Sequence, residues 1–350
     1  MLHKHLTGAT VPWDYVASAG GRLPLNGKTK GLGPGPVRPG EGLLVRTVTT
    51  NPGYDRLELA SGEMVVLRPG DRLVGVAGTR QALRGFYGSA PASVKQGDRL
   101  SLLSLGGILG AFEGGLLDLG VPTTVEVIDR LGQDGRPYSL TEGAIAPRTS
   151  LDVTCPIIAV VGTSMGAGKT RAASELVAGA AHAGIRVAAV KLTGVACLKD
   201  TLDMRSRGAF EAISFLDAGL ASTVHEPELI RYVNGLFHHL KETNPELIVA
   251  ELGDGIIGPY GVDGLLQDPV FSGAISALVL TASDHVGAWG GVELLHRWGL
   301  SVDVITGPVT DSPGACRTVE AQLGVPAVNA CSDGQRLFPI VHSRLFSRKS

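Results

Sequence analysis

The sequence predicts an α/β fold: a parallel sheet covered by helices on both faces, preceded by a smaller β-rich, barrel-like domain. Three observations carry this expectation. After residue 155, short apolar runs alternate with helical stretches. Before residue 150, shorter β-rich runs alternate with turn signals. Between the first apolar run and the first helical stretch stands a glycine-rich turn.

The apolar runs at 157–161, 187–190, 247–250, 277–281, 302–305 and 327–329 have the continuous character of strands buried on both faces. Helices are expected at 169–183, 209–218, 226–242, 286–298 and 316–323. Within 226–242, Leu229, Ile230, Val233, Leu236, Phe237 and Leu240 fall on one stripe. Repeated strand, helix and strand predict a parallel sheet, and such sheets bind ligands beyond the carboxyl ends of their strands. In the first half, runs at 43–50, 56–60 and 64–67 end at Asn51-Pro52-Gly53, Ser61-Gly62 and Pro69-Gly70-Asp71, the spacing of a small antiparallel barrel or sandwich. Gly-Asp-Arg-Leu occurs at both 70–73 and 97–100, as a duplicated hairpin or a shared turn preference would produce. Residues 20–42, rich in Gly and Pro, read as an extended arm, and 130–150 as a polar linker. The expected organisation is an arm over 1–42, a β-rich domain with its linker over 43–150, and the α/β domain over 151–350.

Composition narrows the function. With 350 residues, 44% of them hydrophobic, the chain can bury two cores. Its 31 basic and 33 acidic residues leave a net charge of -2, which argues against nucleic acid or an anionic membrane as a partner. Cys155, Cys197, Cys316 and Cys331 are far apart, which argues against a disulfide framework and fits a reducing cytoplasm. The start, Met1-Leu2-His3-Lys4-His5, leads into no apolar stretch and is not expected to be a signal peptide; His3 and His5 belong to that terminus, not to a site. No apolar run approaches the ~20 residues of a membrane-spanning helix.

The chemistry centres on Gly162, Thr163, Ser164, Met165, Gly166, Ala167, Gly168, Lys169 and Thr170, which join a buried strand to a helix. Successive main-chain N–H groups of such a turn can wrap a polyphosphate, helped by the positive end of the helix. Gly166 and Gly168 allow close approach, Lys169 suits the β- and γ-phosphates, and the Thr170 hydroxyl suits Mg²⁺. The usual first glycine is displaced from position 163 to Gly162.

Gly-Thr-x-x-Gly-x-Gly-Lys-Thr resembles the phosphate loop of P-loop NTPases of the dethiobiotin synthetase-like group. It also resembles the nucleotide-binding half of the DUF1611 family. Residues 187–194 and 247–258 are similar to the second strand and the glycine-rich stretch of dethiobiotin synthetase. The resemblance spans about residues 155–330 and implies a P-loop NTPase domain, a homodimer or higher oligomer, and a Lys191 that faces substrate and phosphates. It also implies a base site after the fifth strand, around Thr306 and Asp311. Ser164 replaces the usual loop acid, no asparagine stands in 306–313, and the first half has no counterpart.

Other groups stand at strand ends. Glu251 is a candidate Mg²⁺ ligand, with an exposed strand-end acid as the alternative. Gly253, Asp254 and Gly255 offer N–H groups to a substrate carboxylate or acyl phosphate. Asp200 and Asp203 are candidates for a second Mg²⁺ ligand or a general base, with ordinary capping as the alternative. His285 is a candidate substrate contact. Asp311 suits a guanine N–H or a turn, so ATP and GTP both stay open. His238 and His239 are adjacent on a helix and point apart, poor geometry for one metal. The sequence places no base beside Cys197, so a catalytic thiol is not expected there.

The leading expectation is a Mg-nucleotide-dependent synthetase or ligase that phosphorylates a small carboxylate or carbamate for attack by an amine. Lys169, Lys191 and Glu251 would carry its catalysis. A small-molecule kinase and a nucleotide switch or metallochaperone-type NTPase are the alternatives.

Overall fold

The computed structural model describes residues 11–345, so His3 and His5 lie outside the described residues. The chain divides into two compact units. The first comprises residues up to 145 together with 195–199 and 215–224; the second comprises 146–194, 200–214 and 225 onward.

In the first unit five strands close into a barrel: β1 (Gly42–Thr49), β2 (Arg72–Ala77), β3 (Arg99–Leu102), β4 (Ile108–Gly115) and β5 (Thr124–Gln133). The order β2-β1-β5-β3-β4 is antiparallel throughout, and β4 returns to β2 in parallel, with Ile108 beside Val76. The expected antiparallel barrel is therefore sealed by one parallel pairing. Its interior holds Leu43, Val45, Leu57, Leu73, Leu102, Leu109, Val125 and Val127.

Three strands enter the barrel through the same turn. Before β1, β2 and β3, the backbone N–H of Glu41, Asp71 and Asp98 bonds the carbonyl of Arg38, Arg68 and Lys95. In return each acid accepts the N–H of that basic residue. Gly40, Gly70 and Gly97 take the third position at φ +88°, +98° and +88°, as a type II turn requires. The two Gly-Asp-Arg-Leu copies thus share one local structure, and Arg38-Pro39-Gly40-Glu41 is a third instance.

Residues 20–42 are not a free arm. Leu23, Thr29 and Val37 are buried, and Lys30–Gly31 pairs with β5. Isolated apolar residues among Gly and Pro leave no periodicity to read, so the arm assignment fails there. The linker likewise starts later than expected: residues 130–133 complete β5, and Tyr138 and Leu140 are buried.

In the second unit six strands form one parallel sheet: β6 (Ile157–Gly162), β7 (Val187–Thr193), β8 (Glu211–Ser214), β9 (Leu247–Leu252), β10 (Ile275–Thr281) and β11 (Val304–Thr306). Their order is β8-β7-β9-β6-β10-β11, so β6 is central. The helices are α1 (Lys169–His182), α2 (Lys199–Ser206), α3 (Leu229–Glu242), α4 (Val262–Gln267), α5 (Pro269–Ala274), α6 (His285–Arg297), α7 (Pro313–Leu323) and α8 (Leu337–Leu345). α1 and α8 cover one face, where Leu176, Val177, Phe338 and Val341 meet Ile158, Val160, Val249 and Val279. α6 lies on the opposite face, where a Cβ on Gly291 would sit 3.0 Å from Leu280.

Two expected elements differ. The helix expected at 209–218 is strand β8 followed by a turn, because a short apolar run reads alike as strand or buried helix. The strand expected at 327–329 reduces to a single bridge between Ala327 and Ile305.

Candidate functional site

β6 delivers the chain to the carboxyl edge of the sheet, and α1 leaves from it with Lys169 as its first residue. Gly166 (φ +81°) and Gly168 (φ +98°) adopt left-handed backbone that lets the intervening turn curl. Thr163 N–H is anchored to the Thr281 carbonyl at 2.9 Å. The Lys169 ammonium folds back over the curl and donates to the Ser164 carbonyl at 2.9 Å. The turn has the P-loop form.

The displaced glycine has a steric cause. A Cβ on Gly162 would lie 2.9 Å from Lys169 Cγ and 2.7 Å from Thr281 Oγ1. The lysine stem occupies the volume that a side chain at 162 would need.

Thr170, on the first turn of α1, stands between two carboxylates. Its hydroxyl is 3.1 Å from Asp200 Oδ1 and 3.0 Å from Glu251 Oε1. Lys191, beside Glu251 in the sheet register, forms an ion pair with Asp200. All four charged groups here, Lys169, Lys191, Asp200 and Glu251, are buried. Burial, and next the Asp200 charge, push the Glu251 carboxyl up to about 7, against the pull of Lys191 and Lys169. Burial pulls the Lys169 ammonium below its ordinary value, against the carboxylates of Glu251 and Asp254.

The loop after β9 folds onto the P-loop. Ile256 N–H bonds the Gly162 carbonyl at 2.8 Å, and a Cβ on Gly255 would lie 3.1 Å from the Thr163 carbonyl oxygen. Gly253 is held by Thr193 Oγ1 at 2.8 Å. Asp254, buried between the two glycines, has φ +71°, a strained conformation for an aspartate.

Other expected residues stand apart from this cluster. Asp203 bonds Ser174, one turn further along α1 than Thr170, and so ties α2 to α1. The Thr306 hydroxyl is buried and accepts Ala330 N–H at 3.1 Å; its place in the sheet faces it inward instead of toward a base. His285 is exposed at the start of α6, whose cap is Asp284 bonded to Gly287 N–H at 2.8 Å. Asp311 is exposed at the rim of a 270 Å³ cavity, where Asn329 Nδ2 donates to it at 2.9 Å. The loop leading to Asp311 begins at Gly307, where a Cβ would lie 2.4 Å from the Ala167 carbonyl oxygen. His238 faces Asp152 and Glu242, His239 faces Glu211, and none of the four cysteines forms a disulfide among the described residues.

No protein-family model matches the chain, and no curated protein matches it. Among solved structures it is similar to chloroplast FtsY from Physcomitrella patens, at 15% identity over 59% of this chain and 70% of that one, TM-score 0.38. It is similar to a DUF1611 family protein from Anabaena variabilis, at 14% identity over 57% and 63%, TM-score 0.39. It is also similar to the hydrogenase maturation factor HypB from Archaeoglobus fulgidus, at 15% identity over 55% and 90%, TM-score 0.36. Likenesses at that level leave the site to be read from its own residues.

Those residues fit a Mg²⁺ ion accompanied by phosphate. Glu251 Oε2 is buried and has no hydrogen-bond partner among the described residues. A buried carboxylate oxygen in that state is costly unless a cation or proton joins it. Among the described residues no group of three or more His, Cys, Asp or Glu could hold a metal alone. Thr170 with Glu251 and Asp200 instead offers the kind of oxygen donors that suit an ion sharing its ligands with phosphate and water. Sequence reasoning found these groups but missed the steric demand at Gly162 and the tie from Lys169 to Ser164, because both are through-space contacts.

Among the described residues no helix is long and apolar enough to cross a membrane.

Proposed function

We propose that the chain binds a Mg²⁺–nucleoside triphosphate, ATP or GTP, along residues 162–170 and transfers its γ-phosphoryl group to a small carboxylate or carbamate. The observation that carries this reading is the Thr170 hydroxyl held between Asp200 and Glu251 at the mouth of the P-loop. Loop amides of 163–168 hold the phosphate oxygens, and Lys169 exchanges the Ser164 carbonyl for the β- and γ-phosphates. When bound, Mg²⁺ draws off the negative charge that develops on the transferring group. The acceptor oxygen forms a bond to the γ-phosphorus as the β–γ bridging oxygen leaves with the nucleoside diphosphate. An amine then attacks the mixed anhydride and expels phosphate. Lys191 and the amides of 253–255 steady the acceptor acid, with His285 at its outer side. The base lies toward Asp311, since the loop carrying it runs directly from the phosphate-loop side of Gly307. A homodimer belongs to the same proposal.

The test is phosphate release from Mg-ATP and Mg-GTP, with and without a set of small acids and amines. Turnover that rises on adding an acid and disappears in Lys169→Ala supports the reading; undiminished turnover in Lys169→Ala overturns it.

A nucleotide switch is the second reading. Residues 195–199, which lead from β7 into the first residue of the Asp200 helix, are grouped with the barrel unit, as a segment reporting nucleotide state would be. That reading expects stimulation by a protein partner and none by small acids.

A further inference from the structure

Glu58, in the barrel unit, is buried at 1% exposure. Its carboxylate is committed to residues 197 and 198: Oε2 accepts Leu198 N–H at 2.6 Å, and Oε1 accepts the Cys197 thiol at 3.2 Å. No Lys or Arg among the described residues forms an ion pair with it. A buried carboxylate without a cationic partner is a costly means of fastening a loop. The fastening is reinforced nearby. Ala196 N–H bonds the Ala221 carbonyl at 3.0 Å, and a Cβ on Gly106 would lie 2.1 Å from the Ala196 carbonyl oxygen. Gly194, at φ +133°, takes a backbone conformation that side chains resist just before the fastened stretch.

Two residues after Leu198 comes Asp200, the carboxylate that meets Thr170 and Lys191. Two residues span at most about 7 Å, so a shift of the Leu198 amide reaches Asp200 with little slack. We propose that Glu58 is a positioning residue for the nucleotide site: its hold on the Leu198 amide fixes Asp200 between Thr170 and Lys191. The proposal rests on the nucleotide reading above and extends it. Glu58 touches no reacting atom. It acts through the chain.

The experiment compares Glu58→Ala, Glu58→Gln and Gly106→Ala in the full chain with two readouts. One is acetylation of the Lys191 amine by acetic anhydride without nucleotide, measured by mass spectrometry against exposed Lys28. The other is the Mg²⁺ concentration giving half-maximal phosphate release. Glu58→Ala is expected to raise Lys191 labelling by about fivefold and the Mg²⁺ requirement about tenfold, with turnover at saturating Mg²⁺ nearly unchanged. Glu58→Gln keeps an acceptor for the Leu198 amide and should restore most of both. Gly106→Ala, which displaces the same segment without altering Glu58, should repeat the Glu58→Ala pattern and decides the question if that variant does not fold. Lys191 labelling and Mg²⁺ requirement unchanged in a folded Glu58→Ala or Gly106→Ala protein overturns the proposal. A wild-type chain that neither binds nor hydrolyses nucleotide would sink the nucleotide reading alone, because Lys191 labelling still reports whether Glu58 positions Asp200.

Discussion

Gly162 and Lys169 touch across the phosphate loop: a Cβ at 162 would sit 2.9 Å from Lys169 Cγ and 3.0 Å from Cδ. The backbone at 162 is not in the left-handed region, so alanine there is opposed by sterics alone. Gly162→Ala should cost about 1–3 kcal/mol in stability through overpacking. It should also weaken Mg-nucleotide binding by at least about tenfold, because the lysine stem must move aside. Urea denaturation and nucleotide titration check the two effects separately. Binding unaltered in Gly162→Ala would show that the lysine reaches the phosphates by another path.

The Thr170 hydroxyl bridges two acids, so its loss should appear in metal dependence before it appears elsewhere. Thr170→Ser keeps the hydroxyl and should stay within a few-fold of wild type. Thr170→Val, of nearly the same shape, should raise the Mg²⁺ needed for half-maximal turnover by roughly 10- to 100-fold. Equal Mg²⁺ titrations for the two variants would remove Thr170 from the metal set.

Glu251 makes stability depend on pH in an unusual direction for a carboxyl. Folded, it keeps its proton to about pH 7; unfolded, it releases it near the ordinary value of 4.5. Between those values the folded chain holds more protons, so stability falls as pH rises from about 4.5 through 7, by roughly 3 kcal/mol in all. Glu251→Gln should flatten this part of the profile in urea midpoints measured from pH 5 to 7.5. Saturating Mg²⁺ and nucleotide should flatten the wild-type profile too, since a cation beside Glu251 favours its charged form. A wild-type profile already flat without ligand would contradict the buried carboxyl described here.

The three matching turns invite a change that touches no side-chain contact. Pro39 and Pro69 stand second in two of them, and Gln96 in the third. Gln96→Pro should stabilise the chain by about 0.4–1 kcal/mol by restricting the unfolded state. Gly97→Ala, at φ +88°, should destabilise it by about 1 kcal/mol. Opposite shifts of the urea midpoint in the two variants are the expected result.

The part of this molecule that sequence alone discloses is the part governed by local pattern. β6, the P-loop and α1 follow one another as a buried run, a glycine turn and a helix, and each has its own signature. Glu251 and Lys191 were legible because a charge ending an apolar strand stands out. β8 was not, since Glu211–Ser214 is too short for its period to register. Leu23 and Val37 were hidden for a different reason: each is one apolar residue that finds its neighbours far along the chain. Glu58 left no trace in the sequence, because its amide partner lies 140 residues away. Thr306 misled for a related reason, as a strand-end hydroxyl looks the same whether it faces a ligand or, as here, Ala330.

The grouping of 195–199 and 215–224 with the barrel has a practical corollary for anyone dissecting the molecule. Genetic scission near 145 would yield an amino-terminal fragment stripped of the Leu198 amide and Cys197 thiol that bond Glu58, and of the Phe215 and Leu216 side chains that pack with Leu44, Val74 and Phe86 in a buried apolar cluster. The complementary fragment would carry those same segments as bare, greasy loops. Neither piece is therefore a fair proxy for its half, and assigning activities to the halves calls for point substitutions in the intact polypeptide.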